Sequence, residues 1–251
     1  MKFSALSKLT LISILTLSTT VFADDNINWT GFYGSAMVGY TWGHVGEGSG
    51  FDNQLAPPAF NYPLIGSGGN SFNGVNGTLK LGYNKQIEAN VIGLELGGTW
   101  QDGKSHAVAN DGYYDTLGVF VPDTGLQSNT KINSYETFAV RAGHVFENTL
   151  VYISGGGALG QIKRSMTDTN GNWFGQDNTI PDNKTQLGYI LGLGLEHKLD
   201  DRLSLRVNYE YVDFGKINFS YAGLFFGFPA TITQSNSIHF SNLSAGVSYL
   251  F

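Results

Sequence analysis

Apolar and small residues recur at every second position along most of the chain. In the segment from Gly31 to Val45, one set of alternate positions is apolar or aromatic and the other is mostly small or polar. A two-residue period is typical of a β-strand with one apolar face. Eight such segments can be recognised, at about residues 31–45, 75–87, 91–101, 135–146, 150–162, 186–199, 202–212 and 238–251. The pattern therefore predicts an all-β chain.

The connections between these segments are alternately short and long. Two or three residues follow the second, fourth and sixth segments, whereas the long connections cover roughly 46–73, 103–133, 163–184 and 215–237. Short turns at one end and long loops at the other are typical of outer-membrane barrels. We expect an eight-stranded antiparallel up-and-down transmembrane β-barrel with short periplasmic turns and long extracellular loops. A soluble ligand-binding barrel, with its apolar faces inward, remains the alternative.

The last predicted strand ends on an aromatic residue, Phe251. Every second residue before it is apolar or small: Tyr249, Val247, Ala245 and Leu243. We expect this strand to pair with the first, because a closed barrel leaves no unpaired strand edge in lipid.

The first residues of the chain have the features of a secretory signal peptide. Lys2 and Lys8 are followed by an apolar stretch, and a small-x-small cleavage site ends at Ala23. The apolar stretch is shorter than the roughly 20 residues that a membrane-spanning helix needs. We therefore predict a signal peptide at residues 1–23 and one barrel domain at residues 24–251.

The amino-acid composition excludes some kinds of binding partner and metal site. Charged residues make up 14% of the chain, and there is no cysteine, so disulfides and thiolate metal sites are excluded. Removal of residues 1–23 leaves 12 Lys and Arg against 20 Asp and Glu. Nucleic acid is not an expected partner, because phosphate binding along a nucleic acid needs a basic surface.

The charged residues within the strands fall on the polar faces. If the apolar faces contact lipid, the barrel interior holds Lys80, Glu95, Arg141, Glu196, Arg206 and Glu210. Buried charges are tolerated only when they are paired, and an eight-stranded barrel is just wide enough for side chains to fill it. We predict that these six residues form an ion-pair network that plugs the lumen.

Two other interpretations of the polar face stay open. Glu196 and Glu210 could act as a catalytic pair of carboxylates with separated pKa values. Alternatively, an exchange of partners among the charges could open a narrow path, which would make the protein a small porin-like channel for ions or small solutes.

Aromatic residues lie toward the strand ends, where barrels carry interfacial girdles. They are Trp29, Tyr40, Trp42, Tyr83, Trp100, Tyr209 and Tyr211.

Two motifs and the last strand carry a family resemblance. The sequences WTGFYG at 29–34 and YEYVDFG at 209–215, with the strand ending at Phe251, resemble the small outer-membrane β-barrel family of porin-like, opacity and OmpA type. Within it the chain is similar to alphaproteobacterial surface antigens, some of which bind haemin. The resemblance implies a location in the bacterial outer membrane and assembly by the outer-membrane insertion machinery, which recognises a terminal aromatic residue. We expect no peptidoglycan-binding domain after Phe251.

One short string suggests an enzyme. The residues His239, Ser241 and Asn242 resemble the His-x-Ser-Asn motif of outer-membrane lipid A deacylases, in which a histidine activates a serine. That family carries an acidic orienting residue further along, and no acidic residue follows Asn242. We expect no enzyme activity and no catalytic residue.

The five histidines do not have the spacing of a metal or haem site. They are His44, His106, His144, His197 and His239. A surface haemin site near His44 and His106 stays open as an alternative, but we expect no metal centre and no cofactor. Acidic residues in or near the predicted loops could hold divalent cations or simply be solvated: Glu47, Asp52, Asp102, Asp111, Asp115 and Asp123.

The functional expectation is a monomeric barrel that supports the envelope and acts at the surface, as an adhesin or antigen, through its long loops. Loops on a rigid scaffold commonly carry recognition. The expected partners are outer-membrane lipid and lipopolysaccharide, the insertion machinery, and host or extracellular ligands that contact the loops.

Overall fold

The computed structural model describes residues 28–46, 48–54, 61–67, 70–108, 111–114, 120–123, 126–169, 178–225 and 228–251. The predicted signal peptide and its cleavage site lie outside these residues. The described part contains twelve β-strands: β1 (Gly31–Val45), β2 (Gly48–Gln54), β3 (Asn61–Ser67), β4 (Asn70–Ile87), β5 (Asn90–Val108), β6 (Asp111–Tyr114), β7 (Phe120–Asp123), β8 (Leu126–Phe146), β9 (Thr149–Asp168), β10 (Asn178–Lys198), β11 (Leu203–Phe225) and β12 (Phe228–Leu250). Within those ranges, no helix has the length and apolar character needed to span a bilayer.

The eight long strands form a closed antiparallel ring. Their order is β1, β4, β5, β8, β9, β10, β11 and β12, and β12 pairs back with β1 from Tyr33↔Leu250 to Val45↔Ile238. The ring has no free edge, as a sheet surrounded by lipid requires. The predicted eight-stranded barrel is confirmed.

The short strands belong to two of the long connections. Strands β2 and β3 form a hairpin that adds to β12, and β6 pairs with β7 in a separate two-stranded sheet.

The ring strands are longer than predicted on the loop side. β11 and β12 stay paired up to Phe225↔Phe228, inside a segment that we expected to be a loop. These extensions lack an apolar outer face, so the alternation that identified the strands fades there. Backbone pairing persists nonetheless, because it does not depend on which side chains face water.

The predicted apolar faces point away from the barrel interior. Leu81, Ile153 and Leu187 are 64%, 68% and 70% exposed, whereas their chain neighbours Lys80 and Tyr152 are buried. A continuous apolar outer band of this kind requires lipid rather than water around it. The soluble barrel with inward apolar faces is therefore wrong.

Aromatic side chains lie on the outer face near both ends of the apolar band. Close ring pairs at the turn end are Phe32–Tyr83 and Tyr249–Phe251, and those toward the loop end are Tyr40–Trp42, Trp42–Tyr209 and Tyr189–Tyr211. Trp29 is the exception among the predicted girdle residues, because it is 2% exposed and its ring lies 5.2 Å from Lys198 Nζ.

Candidate functional site

The barrel interior is filled at two heights. Nearer the turn end lies a charged layer, which we define as Lys80, Glu95, Arg141, Glu196, Arg206 and Glu210. Each of these residues is 4% exposed or less. Nearer the loop end lies an apolar layer, which we define as the buried cluster Val45, Phe72, Ile132, Tyr135, Ala158, Ile162, Met166, Ile190, Val212, Phe214, Ile217, Phe219, Tyr221, Ile238 and Phe240.

Glu95 lies at the centre of the charged layer. Its Oε1 accepts a hydrogen bond from Lys80 Nζ at 2.8 Å, and its Oε2 accepts one from Arg206 Nη2 at 2.7 Å. Tyr33 Oη also donates to Oε2 at 2.7 Å, and Arg141 Nη1 lies 3.8 Å from the same oxygen. One carboxylate therefore faces all three cations of the layer.

The other two carboxylates are bound by different cations. Lys80 Nζ also donates to Glu210 Oε1 at 2.5 Å, and Arg141 Nη1 donates to Glu196 Oε2 at 3.2 Å. Ser204 Oγ donates to Glu196 Oε1 at 2.7 Å. The layer has three positive and three negative charges, all with charged partners, which is the condition under which buried charges are tolerated. Because Glu196 and Glu210 are bound by different cations, Arg141 and Lys80, the arrangement favours structural pairing over the catalytic pair considered from the sequence.

Two tyrosines pack between the arginines. Arg141 lies over the rings of Tyr33 and Tyr152 at 4.3 and 5.0 Å, and Arg206 Nε donates to Tyr152 Oη at 2.7 Å. Interior glycines make room for them: a Cβ at Gly82 would collide with Tyr33, and one at Gly194 would collide with Tyr152. Sequence reasoning did not single out these tyrosines, although the glycines opposite them on neighbouring strands were a usable signal.

The apolar layer was not predicted. Phe240 lies at its centre, with ring centroids 5.3 Å from Tyr135, 5.5 Å from Phe72 and 6.0 Å from Phe214. The register of β11 shifts between Asp213 and Lys216, so both Phe214 and Ile217 point inward. Alternation of Ile217, Phe219 and Tyr221 was the available signal, within a segment that we assigned to a loop.

Comparison with known proteins agrees with this architecture. The family described as outer membrane protein beta-barrel domain matches residues 9–251. The chain belongs to this family. It is therefore an outer-membrane β-barrel protein, and the predicted location in the bacterial outer membrane is confirmed.

The chain has low sequence identity to the individual relatives and solved structures that it resembles. The chain is 29% identical over 203 residues to the 31 kDa outer-membrane immunogenic protein of Brucella melitensis, a match that covers 77% of this chain and 75% of the relative. Neisserial surface protein A is 15% identical, with a TM-score of 0.38 and coverage of 88% of this chain and 98% of that one. The outer-membrane protease OmpT of Escherichia coli is 11% identical, with a TM-score of 0.45 and coverage of 88% and 97%.

The residues of the His-x-Ser-Asn string lie on both sides of the barrel wall. His239 and Ser241 lie on the outer face, whereas Asn242 is fully buried inside. Ser241 Oγ is hydrogen-bonded to Tyr209 Oη at 2.8 Å, and the His239 ring packs 6.2 Å from that of Tyr211. The structure does not show a serine held by a histidine at this position.

The other histidines are dispersed around the barrel. His144 Nδ1 lies 3.0 Å from Asn90 Oδ1, and His197 Nδ1 lies 2.9 Å from Thr149 Oγ1, both near the turn end. His44 pairs with His239 across β1 and β12, at the other end of the apolar band. In the described residues, no three histidine or acidic side chains gather as metal ligands do.

Of the loop residues considered as possible cation or haemin ligands, most have side chains outside the described part of the structure. Asp102 lies on the outer face, with Oδ1 3.9 Å from Lys131 Nζ. The side chains outside the described part are those of His106, Glu47, Asp52, Asp111, Asp115 and Asp123.

Proposed function

We propose that the lumen of this outer-membrane barrel is closed to ions and solutes. The barrel supports the envelope and presents its loop-side hairpins at the cell surface. The observation that carries the proposal is the double filling of the lumen. A conducting lumen would leave its lining side chains in contact with water. All six residues of the charged layer are 4% exposed or less, and Phe214, Phe219 and Phe240 in the apolar layer are 1% exposed or less.

The two layers oppose conduction in different ways. In the charged layer, an ion that passed would have to break pairs that each buried charge needs. In the apolar layer, an ion would have to lose its hydration among mostly apolar side chains that cannot replace it, which is how hydrophobic constrictions gate channels. The layers act in series, so opening one would still leave the other closed.

The surface role is supported by the loop-side extensions of the ring. The paired strands β11 and β12 continue to Phe225↔Phe228, and the β2–β3 hairpin adds to β12 on the same side. The Brucella relative bears the name immunogenic protein. A rigid, strand-built extension is a suitable scaffold for recognition at the cell surface.

Conductance of the purified barrel tests the closed lumen. The protein is refolded into phosphatidylcholine vesicles, its insertion is verified by flotation, and the vesicles are fused to a planar bilayer. We expect no stepwise current increments. Discrete openings in the wild type would overturn the closed-lumen proposal in favour of the small porin-like channel.

Surface display is tested separately. An epitope inserted directly after Phe225 is expected to bind antibody on intact cells. Binding only after the outer membrane is permeabilised would contradict surface presentation. An epitope inserted after Asp201, in a turn at the other end, is the matched control and should become accessible only on permeabilisation.

A further inference from the structure

Three lysines occupy one row across neighbouring strands. In the backbone register, Lys104 of β5 stands opposite Lys131 of β8, and Lys131 stands opposite Lys163 of β9. Like charges directly opposite each other in a sheet are destabilising. Their alignment in an acidic protein therefore points to an anionic partner outside the chain.

Lys131 and Lys163 lie on the outer surface of the barrel. The Lys131 side chain is 43% exposed and Lys163 is exposed, whereas their chain neighbours Ile132 and Ile162 are 1% and 0% exposed and face inward. Asp102 is a counter-charge for Lys131 at 3.9 Å, but an exposed pair of this length contributes little. Lys163 has no ion-pair partner among the residues that the structure describes.

The height of the row matches the headgroup region of the outer leaflet. Leu159 is the last apolar outward residue of β9, and Lys163 follows four positions later, about 13 Å along the strand and roughly 10 Å higher at the usual tilt. Headgroups occupy roughly 5–8 Å beyond the hydrocarbon on each side, and lysine side chains extend toward that level. Because the strands are tilted, the row itself spans on the order of 6 Å in height.

We propose that Lys131 and Lys163 form a docking surface for the phosphate groups of a phosphorylated outer-leaflet lipid. Ammonium groups bind phosphate as mobile point charges, and basic residues at a membrane surface attract anionic lipid. The surface lies on one side of the barrel: on β11, the exposed Lys216 stands opposite Ser237, with no basic residue beside it in the register. This inference goes beyond the closed lumen and does not depend on it.

The test compares lipid binding by matched variants. Wild-type protein, Lys131→Gln/Lys163→Gln and Lys216→Gln are refolded in non-ionic detergent and titrated with bisphosphorylated lipid A, with binding followed by native mass spectrometry. We expect the double variant to bind about thirty-fold more weakly, from the usual contribution of two lysines near an anionic lipid surface. Lys216→Gln should stay within about two-fold of wild type, because a lone lysine lacks the row.

Two further arms identify the lipid phosphate as the bound group. Lipid A stripped of its phosphates should bind wild type as weakly as intact lipid A binds the double variant. Inorganic phosphate at the same concentration should not displace intact lipid A, because it lacks the acyl chains that the apolar band holds. Equal binding by the double variant, equal binding of stripped lipid A, or displacement by inorganic phosphate would each overturn the proposal. Bilayer conductance is not expected to change in the double variant, so the two proposals fail independently.

Discussion

Replacement of Glu95 by glutamine is the most direct perturbation of the charged layer. The substitution keeps the size and one carbonyl oxygen of the side chain but removes a negative charge that Lys80 and Arg206 contact at 2.8 and 2.7 Å. The layer then has three cations and two anions, all buried. The uncompensated positive charge has no route to water, because Glu95 itself is 2% exposed.

The expected cost follows from this burial. Removing one partner of a buried ion pair typically lowers the free energy of unfolding by about 3–5 kcal/mol. The amide oxygen can still accept from Tyr33, so we expect a loss near the lower limit, about 3 kcal/mol, which is more than a hundred-fold in the folding equilibrium. Glu136→Gln, on the exposed outer face, is the control and should change stability by less than about 0.5 kcal/mol.

Urea unfolding of the refolded barrel in phospholipid vesicles, followed by tryptophan fluorescence, gives the free energy by linear extrapolation. The double variant Glu95→Gln/Lys80→Gln restores charge balance, so its loss should be smaller than the sum of the two single losses. Strict additivity, or a Glu95→Gln loss no larger than that of the control, would refute the argument that mutual compensation holds the charged layer together.

Two more predictions concern packing and a turn. Gly194→Ala places a Cβ against the Tyr152 ring. We expect the free energy of unfolding to fall by about 1–3 kcal/mol in the same urea assay. A variant as stable as the wild type would contradict the close packing of Tyr152 on Gly194. The backbone N–H groups of Leu203 and Arg202 donate to Asp200 Oδ1 and hold the pKa of that carboxyl below its ordinary value. The stabilisation by the Asp200 carboxylate should therefore be complete at pH values above the ordinary pKa of aspartate. It should be lost as the pH falls through the lowered pKa of the folded protein. Asp200→Asn should flatten stability against pH in that acidic range, and an unchanged pH profile would argue against the turn contribution.

The alternation of apolar and polar residues was sufficient to predict the membrane-spanning part of the fold. The outward positions of β1, such as Val38 and Tyr40, were assigned from alternation alone, because a strand turns its side chains to opposite faces whatever it pairs with. The same parity placed Lys80 and Glu95 on the inner face. The loop-side extensions were missed because their outer face does not contact lipid. In β11 the apolar positions change to the inner face at the bulge, so Ile217, Phe219 and Tyr221 are out of step with the outward alternation before it.

The sequence by itself therefore determined the number of membrane strands, the face that the side chains of those strands take within the lipid-facing part, and the short turns. Only the tertiary structure decided which inward residues meet. Lys80 and Glu210 are 130 positions apart, so their contact depends on the register between strands and on closure of the ring. The bulge near Gly215, with φ of 65°, likewise sets the height of the apolar layer. Alternation specifies a direction for each side chain, whereas height along the barrel axis is fixed only when all eight strands are hydrogen-bonded at once.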